Sequence, residues 1–301
     1  MKVSTLCLGS CTGCHISLLG LGEDLLPILS TAELIYSPVL VDVKKPGPTD
    51  LAIVEGAPRN EEDVERLGKL REKAKTVLAL GSCASMGGIT GLGNVASREE
   101  IKAEAYEEPD KDTPELRKRV YPIDHYVEVD WYLTGCPPPK KIIGEALTAL
   151  LAGKEPPHYE LPVCAECERR AELHIYEDLV RTIEKTPDAE ECLLSQGYIC
   201  LGSVTRGGCD ANCTTAGVPC LGCRGPVDRV ITEPGHGIFR DLVRRRAHLL
   251  GLDEKEVEDE VYDLVHTLYT FTLSSQVMRL KQSERVADEI YRVHLEPGEA
   301  I

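Results

Sequence analysis

The stretch that decides the fold is Met1-Lys2-Val3-Ser4-Thr5-Leu6-Cys7-Leu8-Gly9-Ser10-Cys11-Thr12-Gly13-Cys14. Its first six residues read as a short buried strand, and Cys11-Thr12-Gly13-Cys14 as a tight loop with two thiols. From His15 to about Leu29 the chain reads as a helix, because Ile16, Leu18, Leu19, Leu21, Leu25, Leu26 and Ile28 fall at helical spacing. In an open α/β sheet, ligands bind outside the carboxyl ends of the strands, so thiols just after the first strand stand at a cofactor position. Two later strand-like runs end the same way. Val77-Leu78-Ala79-Leu80 leads into Gly81-Ser82-Cys83, and Val127 to Leu133 leads into Gly135-Cys136-Pro137-Pro138. Three strand-end loops carrying four thiols at one sheet edge predict a site with four thiolate ligands.

Working outward, strand-like and helix-like segments alternate through residues 1–155. Ala32 to Val43 contains Leu34-Ile35-Tyr36 and Val39-Leu40-Val41, followed by the linker Lys44-Lys45-Pro46-Gly47-Pro48. Asp50 to Gly56 is a short apolar run ending in glycine, and Asn60 can cap a charged helix to about Ala74. A charged insertion runs from about Arg98 to Lys118. Pro137-Pro138-Pro139 permits a helix start, and Lys140 to Ala152 is amphipathic. This alternation predicts an α/β fold with a parallel sheet and right-handed crossovers, flavodoxin-like or doubly wound. Gly153 to about Leu161 is a polar, proline-containing linker.

The pattern then changes. Cys164-Ala165-Glu166-Cys167 is a second C-x2-C, and Cys192 and Cys200 follow a helix-like stretch around Leu173 to Ile183. Gly202 to Pro226 has almost no periodicity, yet Cys209, Cys213, Cys220 and Cys223 fall within it. So long a loop fits a compact domain if metal organises it, since metal-binding free energy becomes folding free energy. Residues 156–230 are therefore expected to form a mostly irregular or helical metal-binding domain. Residues 231–301 are expected to be a helical tail, structural or interfacial. In it Asp253 with Glu256 is a capping box, and Val257, Val261, Leu264, Val265 and Leu268 share one helical face. Arg244-Arg245-Arg246 reads as a solvated helix face or a contact with an acidic partner.

Composition bounds the function. Of 301 residues, 34 are Lys or Arg and 50 are Asp or Glu, a net charge of −16 that excludes a nucleic-acid partner. No apolar run approaches the ~18 residues of a membrane span. There is no basic, apolar export signal and no twin-Arg pair near Met1, so a cytoplasmic, reducing location is expected. Thirteen cysteines are the anomaly, and in a reducing compartment they read as metal ligands. Three groups of four account for twelve: Cys11, Cys14, Cys83, Cys136; Cys164, Cys167, Cys192, Cys200; and Cys209, Cys213, Cys220, Cys223. Zinc is the ordinary reading of a single C-x2-C pair, and a zinc-stabilised scaffold is the non-enzyme alternative. For the ensemble, iron–sulfur ligation is favoured, because only Cys209 to Cys223 approximates two close pairs. Cys7-x3-Cys11-x2-Cys14 also has the spacing of a radical S-adenosylmethionine cluster. That loop usually has an aromatic residue where Gly13 stands, and it leaves Cys83 and Cys136 unexplained. Cys7 is read as a buried strand residue. The glycines of Gly81 to Gly88 lack the Gly-Lys-Ser/Thr ending of a phosphate loop; beside a thiolate they let backbone N–H groups approach sulfur.

Cys11-Thr12-Gly13-Cys14, Gly81-Ser82-Cys83-Ala84, Gly135-Cys136-Pro137-Pro138 and the eight later cysteines in order resemble the small subunit of nickel–iron hydrogenases over roughly residues 1–230. The resemblance implies a proximal 4Fe–4S cluster on Cys11, Cys14, Cys83 and Cys136. It implies a distal one on Cys164, Cys167, Cys192 and Cys200, and a medial one on Cys209, Cys213, Cys220 and Cys223. Periplasmic members place His at the Cys164 position and have a three-iron medial cluster. The all-Cys sites here resemble instead the cytoplasmic methyl-viologen-reducing type. That type joins a nickel–iron large subunit, a 2Fe–2S electron-transfer subunit and heterodisulfide reductase. The resemblance thus implies an electron relay for hydrogen oxidation, three 4Fe–4S clusters, and no catalytic residue in this chain, the nickel site lying in the partner. Many members carry a proton-transferring Glu where Ile16 stands, so that role does not carry over. The deazaflavin-coenzyme-reducing small subunit is a close alternative. The quinone-linked subunit of respiratory complex I is set aside, since it has adjacent cysteines in its first motif and no second cluster domain. Glu55 has as its ordinary reading a solvated carboxylate; its sharper reading is a contact near the proximal cluster or the large-subunit interface.

Overall fold

The computed structural model describes residues 1–106, 114–172, 180, 183–233, 236–260 and 263–275. The chain divides into two compact units. The first is Met1–Pro157 together with the returning residues 271–275, and the second is the intervening chain from His158 to Thr270.

Among the described residues the first unit is built on one five-stranded sheet. Its strands are β1 (Lys2–Cys7), β2 (Glu33–Tyr36), β3 (Thr49–Glu55), β4 (Ala74–Leu80) and β5 (Trp131–Leu133), in the order β2-β1-β3-β4-β5. Every neighbouring pair is parallel. Parallel strands need helical crossovers that cover both faces, so the central strands are apolar throughout. Leu51 to Val54 on β3 and Val77 to Leu80 on β4 are accordingly buried. The order reverses between β1 and β3, the point at which doubly wound sheets open a crevice. The register pairs Cys7 with Glu55, Glu55 with Leu80, and Leu80 with Leu133. Four strands therefore end on one row, and the chain leaving three of them carries the expected thiols.

The helices depart from expectation in specific places. The single helix expected to Leu29 is instead α1 (Gly13–Leu19), a 3-10 turn at Gly22–Asp24, and α2 (Leu25–Thr31). Gly22 adopts φ +60, outside the right-handed helix, which breaks the run. Pro27 sits in the first turn of α2, where a missing N–H costs no bond. Val39 and Leu40 lie in an exposed turn, and Val41 follows it half-buried, none of them in a strand. Helix α3 (Glu61–Arg71) begins as expected, with the Asn60 side chain accepting from Asp63 N–H at 2.9 Å, but it stops before Ala74, which opens β4. Gly81-Ser82-Cys83 is not an open loop but the first turn of α4 (Gly81–Met86), followed by α5 (Gly88–Gly91). The charged insertion carries α6 (Arg98–Ala105), capped by a Ser97–Glu100 capping box; residues 107–113 of that insertion lie outside the described residues. Only Trp131–Leu133 of the Val127–Leu133 run is strand. Helix α7 (Lys140–Leu151) matches expectation and buries Ile142, Ile143, Ala146, Leu147 and Leu150.

The second unit has little regular structure. Short 3-10 turns at Val163–Ala165 and Leu201–Ser203 and isolated bridges such as Pro162 with Arg206 precede α8 (Asn212–Thr215), α9 (Asp228–Thr232), α10 (Ile238–Leu250), α11 (Glu254–Glu260) and α12 (Leu264–Leu268). Most of the expected helix at 173–183 lies outside the described residues. Of the helical face expected from Val257 to Leu268, Val257 lies on α11 and Val265 and Leu268 on α12, all three buried, while Val261 lies outside the described residues. The Glu256 carboxylate accepts from Asp253 N–H at 2.9 Å, half of the expected capping box. Arg246 is a correction: it is fully buried, and its Nη1 donates to the Gly197 carbonyl at 3.1 Å. On α10 only Arg244 and Arg245 of the triplet are exposed, because Arg246 falls on the same face as Leu242 and Val243. The tail then returns to the first unit, where the Ser274 hydroxyl accepts from Asn94 Nδ2 at 2.9 Å. Among the described residues no helix is long and apolar enough to cross a membrane.

Candidate metal centre

The first thiol group forms because three chain segments leave the same sheet edge. After β1 the chain turns through Thr12, at φ 65, into α1, which carries Cys14 on its first turn. After β4 it enters α4 with Cys83. After β5 it passes Gly135 to Cys136 and a cis peptide to Pro137. Backbone ties hold the last two together: Ser82 N–H donates to the Gly135 carbonyl at 2.9 Å, and Gly135 N–H donates to Ser82 Oγ at 3.2 Å. Burial pushes the Cys14 thiol far up, and the charges of Glu55, Cys83, Cys136 and Cys11 push it further. Cys14 Sγ therefore lies in the field of the other three thiols. A buried thiol so placed persists as a thiolate only beside a cation.

The glycines show how tight this cradle is. Gly81 has φ +86, and a Cβ there would collide with Cys14 Sγ; a Cβ on Gly88 would lie 2.8 Å from Cys83 Sγ. Cys14 is buried, Cys83 half-buried, and Cys11 and Cys136 exposed. An all-sulfur donor set in a glycine-lined cradle fits an iron–sulfur cluster.

In the second unit, burial pushes the Cys164 thiol up to about 12, with Cys200, Cys192 and Cys167 adding to it and Arg245 opposing. The second quartet is thus drawn together. Cys200 is raised chiefly by burial and accepts from Cys220 N–H at 3.3 Å. In the third quartet, Cys209 lies in the field of Cys213, and Cys220 in that of Cys223 and of Cys200. The buried guanidinium of Arg224 feels Cys209 from one pair and Cys223 from the other, stacks 5.1 Å over the Tyr159 ring and donates through Nε to the Gly207 carbonyl at 3.0 Å.

Three residues were not singled out from sequence as partners of the thiols. Glu166, inside the second C-x2-C, accepts through its carboxylate from Gly208 N–H and from Cys209 N–H, the latter at 3.2 Å. Arg224 follows Cys223 directly. His15 follows Cys14; its Nδ1 bonds the Glu55 carboxylate, and its Nε2 is buried with no hydrogen-bond partner among the described residues. Adjacency to a cysteine was the only signal available for any of them. The ordinary reading of Glu55 as a solvated carboxylate is overturned: it is 1% exposed. Burial pushes its carboxyl up, but hydrogen bonds from the His15 side chain and backbone outweigh this and hold it below the usual carboxylate range. Cys7 is half-buried at the end of β1, with Sγ 3.1 Å from Ser10 Oγ.

Similarity to known proteins gives the family. Residues 11–150 match the family of the NADH ubiquinone oxidoreductase 20 Kd subunit. The vhu G subunit of the F420-non-reducing hydrogenase from Methanocaldococcus jannaschii is 41% identical over 291 residues, covering 93% of this chain and 98% of that protein. The G subunit of the F420-non-reducing hydrogenase from Methanothermobacter thermautotrophicus is 36% identical over 298 residues, covering 93% and 97%. A chain of the NAD+-reducing [NiFe]-hydrogenase in its H2-reduced state superimposes with a TM-score of 0.50 at 34% identity, over 52% of this chain and 94% of that one. With similarity running the length of the methanogen proteins and through both units, the chain belongs to the hydrogenase small subunits, in the family of the F420-non-reducing hydrogenase G subunits.

Proposed function

We propose that this chain is the electron-transfer small subunit of a nickel–iron hydrogenase whose hydrogen-splitting centre lies in a partner large subunit. The observation that carries this is the convergence of Cys11, Cys14, Cys83 and Cys136 beyond one row of strand ends. These four would hold a proximal 4Fe–4S cluster. Cys164, Cys167, Cys192 and Cys200 would hold a distal one, and Cys209, Cys213, Cys220 and Cys223 a medial one. When bound, a 4Fe–4S cluster supplies a one-electron couple tuned by nearby charge, hydrogen bonds and exposure. The chain's own part is to present the thiolates, aim backbone N–H groups and keep solvent from the buried sulfurs of Cys14, Cys200 and Cys220. The strand order supports reading residues 1–155 as flavodoxin-like, with 156–230 as a two-cluster domain. The proposed setting is cytoplasmic, with a 2Fe–2S subunit and heterodisulfide reductase as acceptors. The relatives' designation as F420-non-reducing favours this over a deazaflavin-coenzyme-reducing role.

The test is anaerobic purification. About twelve irons per chain with matching sulfide are expected, and the 2Fe–2S and heterodisulfide reductase subunits should co-purify. A colourless, zinc-containing protein without acid-labile sulfide ends the proposal. Replacing Cys83 by Ala should remove about four irons and uncouple hydrogen oxidation from dye reduction. Retained coupling would show that Cys83 is not a ligand on the electron path.

A further inference from the structure

Glu55 ends the central strand β3 on the row it shares with Cys7 and Leu80, and no part of the relay has yet used it. Its carboxylate accepts from Cys14 N–H at 3.4 Å, from His15 N–H at 2.9 Å, and from His15 Nδ1. Two effects on the four-thiolate group follow. Backbone N–H groups beside thiolates ordinarily donate to sulfur and ease reduction; those of Cys14 and His15 are turned to the carboxylate instead. The carboxylate charge also falls on the Cys14 sulfur, at a depth where water screens little. Both effects oppose placing a further electron at this group. The His15 donor offsets part of that charge without removing it.

We propose that Glu55 is a positioning residue that holds the Cys14 loop and sets the first four-thiolate centre at a low reduction potential, an inference that rests on Cys11, Cys14, Cys83 and Cys136 being its cluster ligands. A centre held low passes its electron onward to any centre of higher potential. The register explains why the residue must be here: only the end of β3 lies between the end of β1, which leads to Cys14, and the end of β4, which leads to Cys83.

The test uses the anaerobically purified complex. The centre is identified as the one whose paramagnetic resonance signal disappears in Cys83→Ala, and its midpoint is read by potentiometric titration. Glu55→Gln keeps a carbonyl acceptor for the loop and removes the charge. Its iron count should stay at the wild-type level while the one-electron reduction equilibrium of that centre shifts about tenfold toward the reduced form, ~59 mV more positive. Glu55→Asp, which keeps the charge, should restore most of the wild-type midpoint, an outcome that a purely space-filling role does not give. An unchanged or more negative midpoint in iron-replete Glu55→Gln overturns the proposal. If that variant does not load iron, His15→Leu decides. Loss of the offsetting donor should make the midpoint more negative, and an unchanged or more positive value overturns the proposal. A wild-type chain without iron or sulfide would instead defeat the cluster assignment, independently of any role for Glu55.

Discussion

Gly81 is a position at which one added methyl group should disturb both the fold and the first thiol group. It has φ +86, and its absent side chain leaves the space that Cys14 Sγ occupies. An alanine there incurs left-handed backbone strain of about 1–2 kcal/mol. Its Cβ also meets a buried sulfur on a short loop, and overpacking of that kind costs about 1–3 kcal/mol. The sum, about 2–5 kcal/mol, is a large share of the 5–15 kcal/mol by which domains are roughly stable. Relieving the collision must displace either Cys14 Sγ or the Gly81 backbone that leads to Cys83. Gly81→Ala should therefore lose about four irons per chain as well as melt earlier. Gly153→Ala is the control, since Gly153 has φ +68 but nothing within 4 Å of its ideal Cβ. It carries the backbone strain alone, so it should melt slightly earlier with its iron intact. The assay is iron and acid-labile sulfide per chain beside thermal melting, all under anaerobic conditions. Full iron in Gly81→Ala, or equal iron loss in Gly153→Ala, would refute the close approach of Gly81 to a ligand sulfur.

Other perturbations test separate links. Asn60→Ala removes the acceptor that caps α3 and should cost about 1 kcal/mol in denaturant unfolding, with the iron count unchanged. Arg246→Met deletes one of two donors to the Gly197 carbonyl, which keeps the Val180 N–H at 3.2 Å; losing this charged, buried hydrogen bond should cost about 1–3 kcal/mol, whereas exposed Arg245→Gln should stay within about 0.5 kcal/mol by urea midpoint. Tyr132 has its phenol pushed up to about 12, by burial first and then by the charge of Asp124, which accepts its hydroxyl at 3.3 Å. Because the folded state holds this proton more tightly, its contribution to stability is complete below the ordinary value of 10.0 and declines as pH rises toward 12. Asp124→Asn should bring the tyrosinate absorbance of Tyr132 in at lower pH, still above 10 because burial remains; an unshifted titration would refute the pairing.

The sheet was legible because parallel strands buried on both faces write themselves as apolar runs, as at Leu51 to Val54 and Val77 to Leu80. The first group of thiols was legible because strand-like runs at β1, β4 and β5 each lead into a cysteine. Apolar spacing overstated the first helix: it registers Leu18 through Ile28 but not the φ +60 backbone at Gly22 that divides α1 from α2. Charge likewise misplaced Arg246. A run of three arginines reads as one solvated patch, yet a helix turns 100° per residue, so the third of them comes round to the buried face. The return of residues 271–275 to the first unit had no local signal at all. It depends on Gly87 and Gly91 leaving room for Ser274, a contact across some 180 residues of sequence.

The two glutamates make a sharper point about what sequence omits. Glu55 and Glu166 are far apart in the chain and sit in different units, yet each accepts two successive backbone N–H groups, one of them belonging to a cysteine: Cys14 and His15 in one case, Gly208 and Cys209 in the other. A short thiol-bearing loop exposes consecutive N–H groups that no strand or helix satisfies, and a carboxylate from elsewhere has two oxygens with which to take them. The pairing fixes the direction of the loop, which at the proposed cluster sites would lessen the ordering left for metal binding to bring about. The two differ in depth, since Glu55 is 1% exposed and Glu166 is half-buried. Water screens the second far more than the first. The same anchoring device therefore leaves a strong negative field on the Cys14 group and a weak one on the Cys209 group, which also has the buried Arg224 guanidinium beside it. Depth, which no spacing of cysteines encodes, separates two groups that their cysteines alone would make alike.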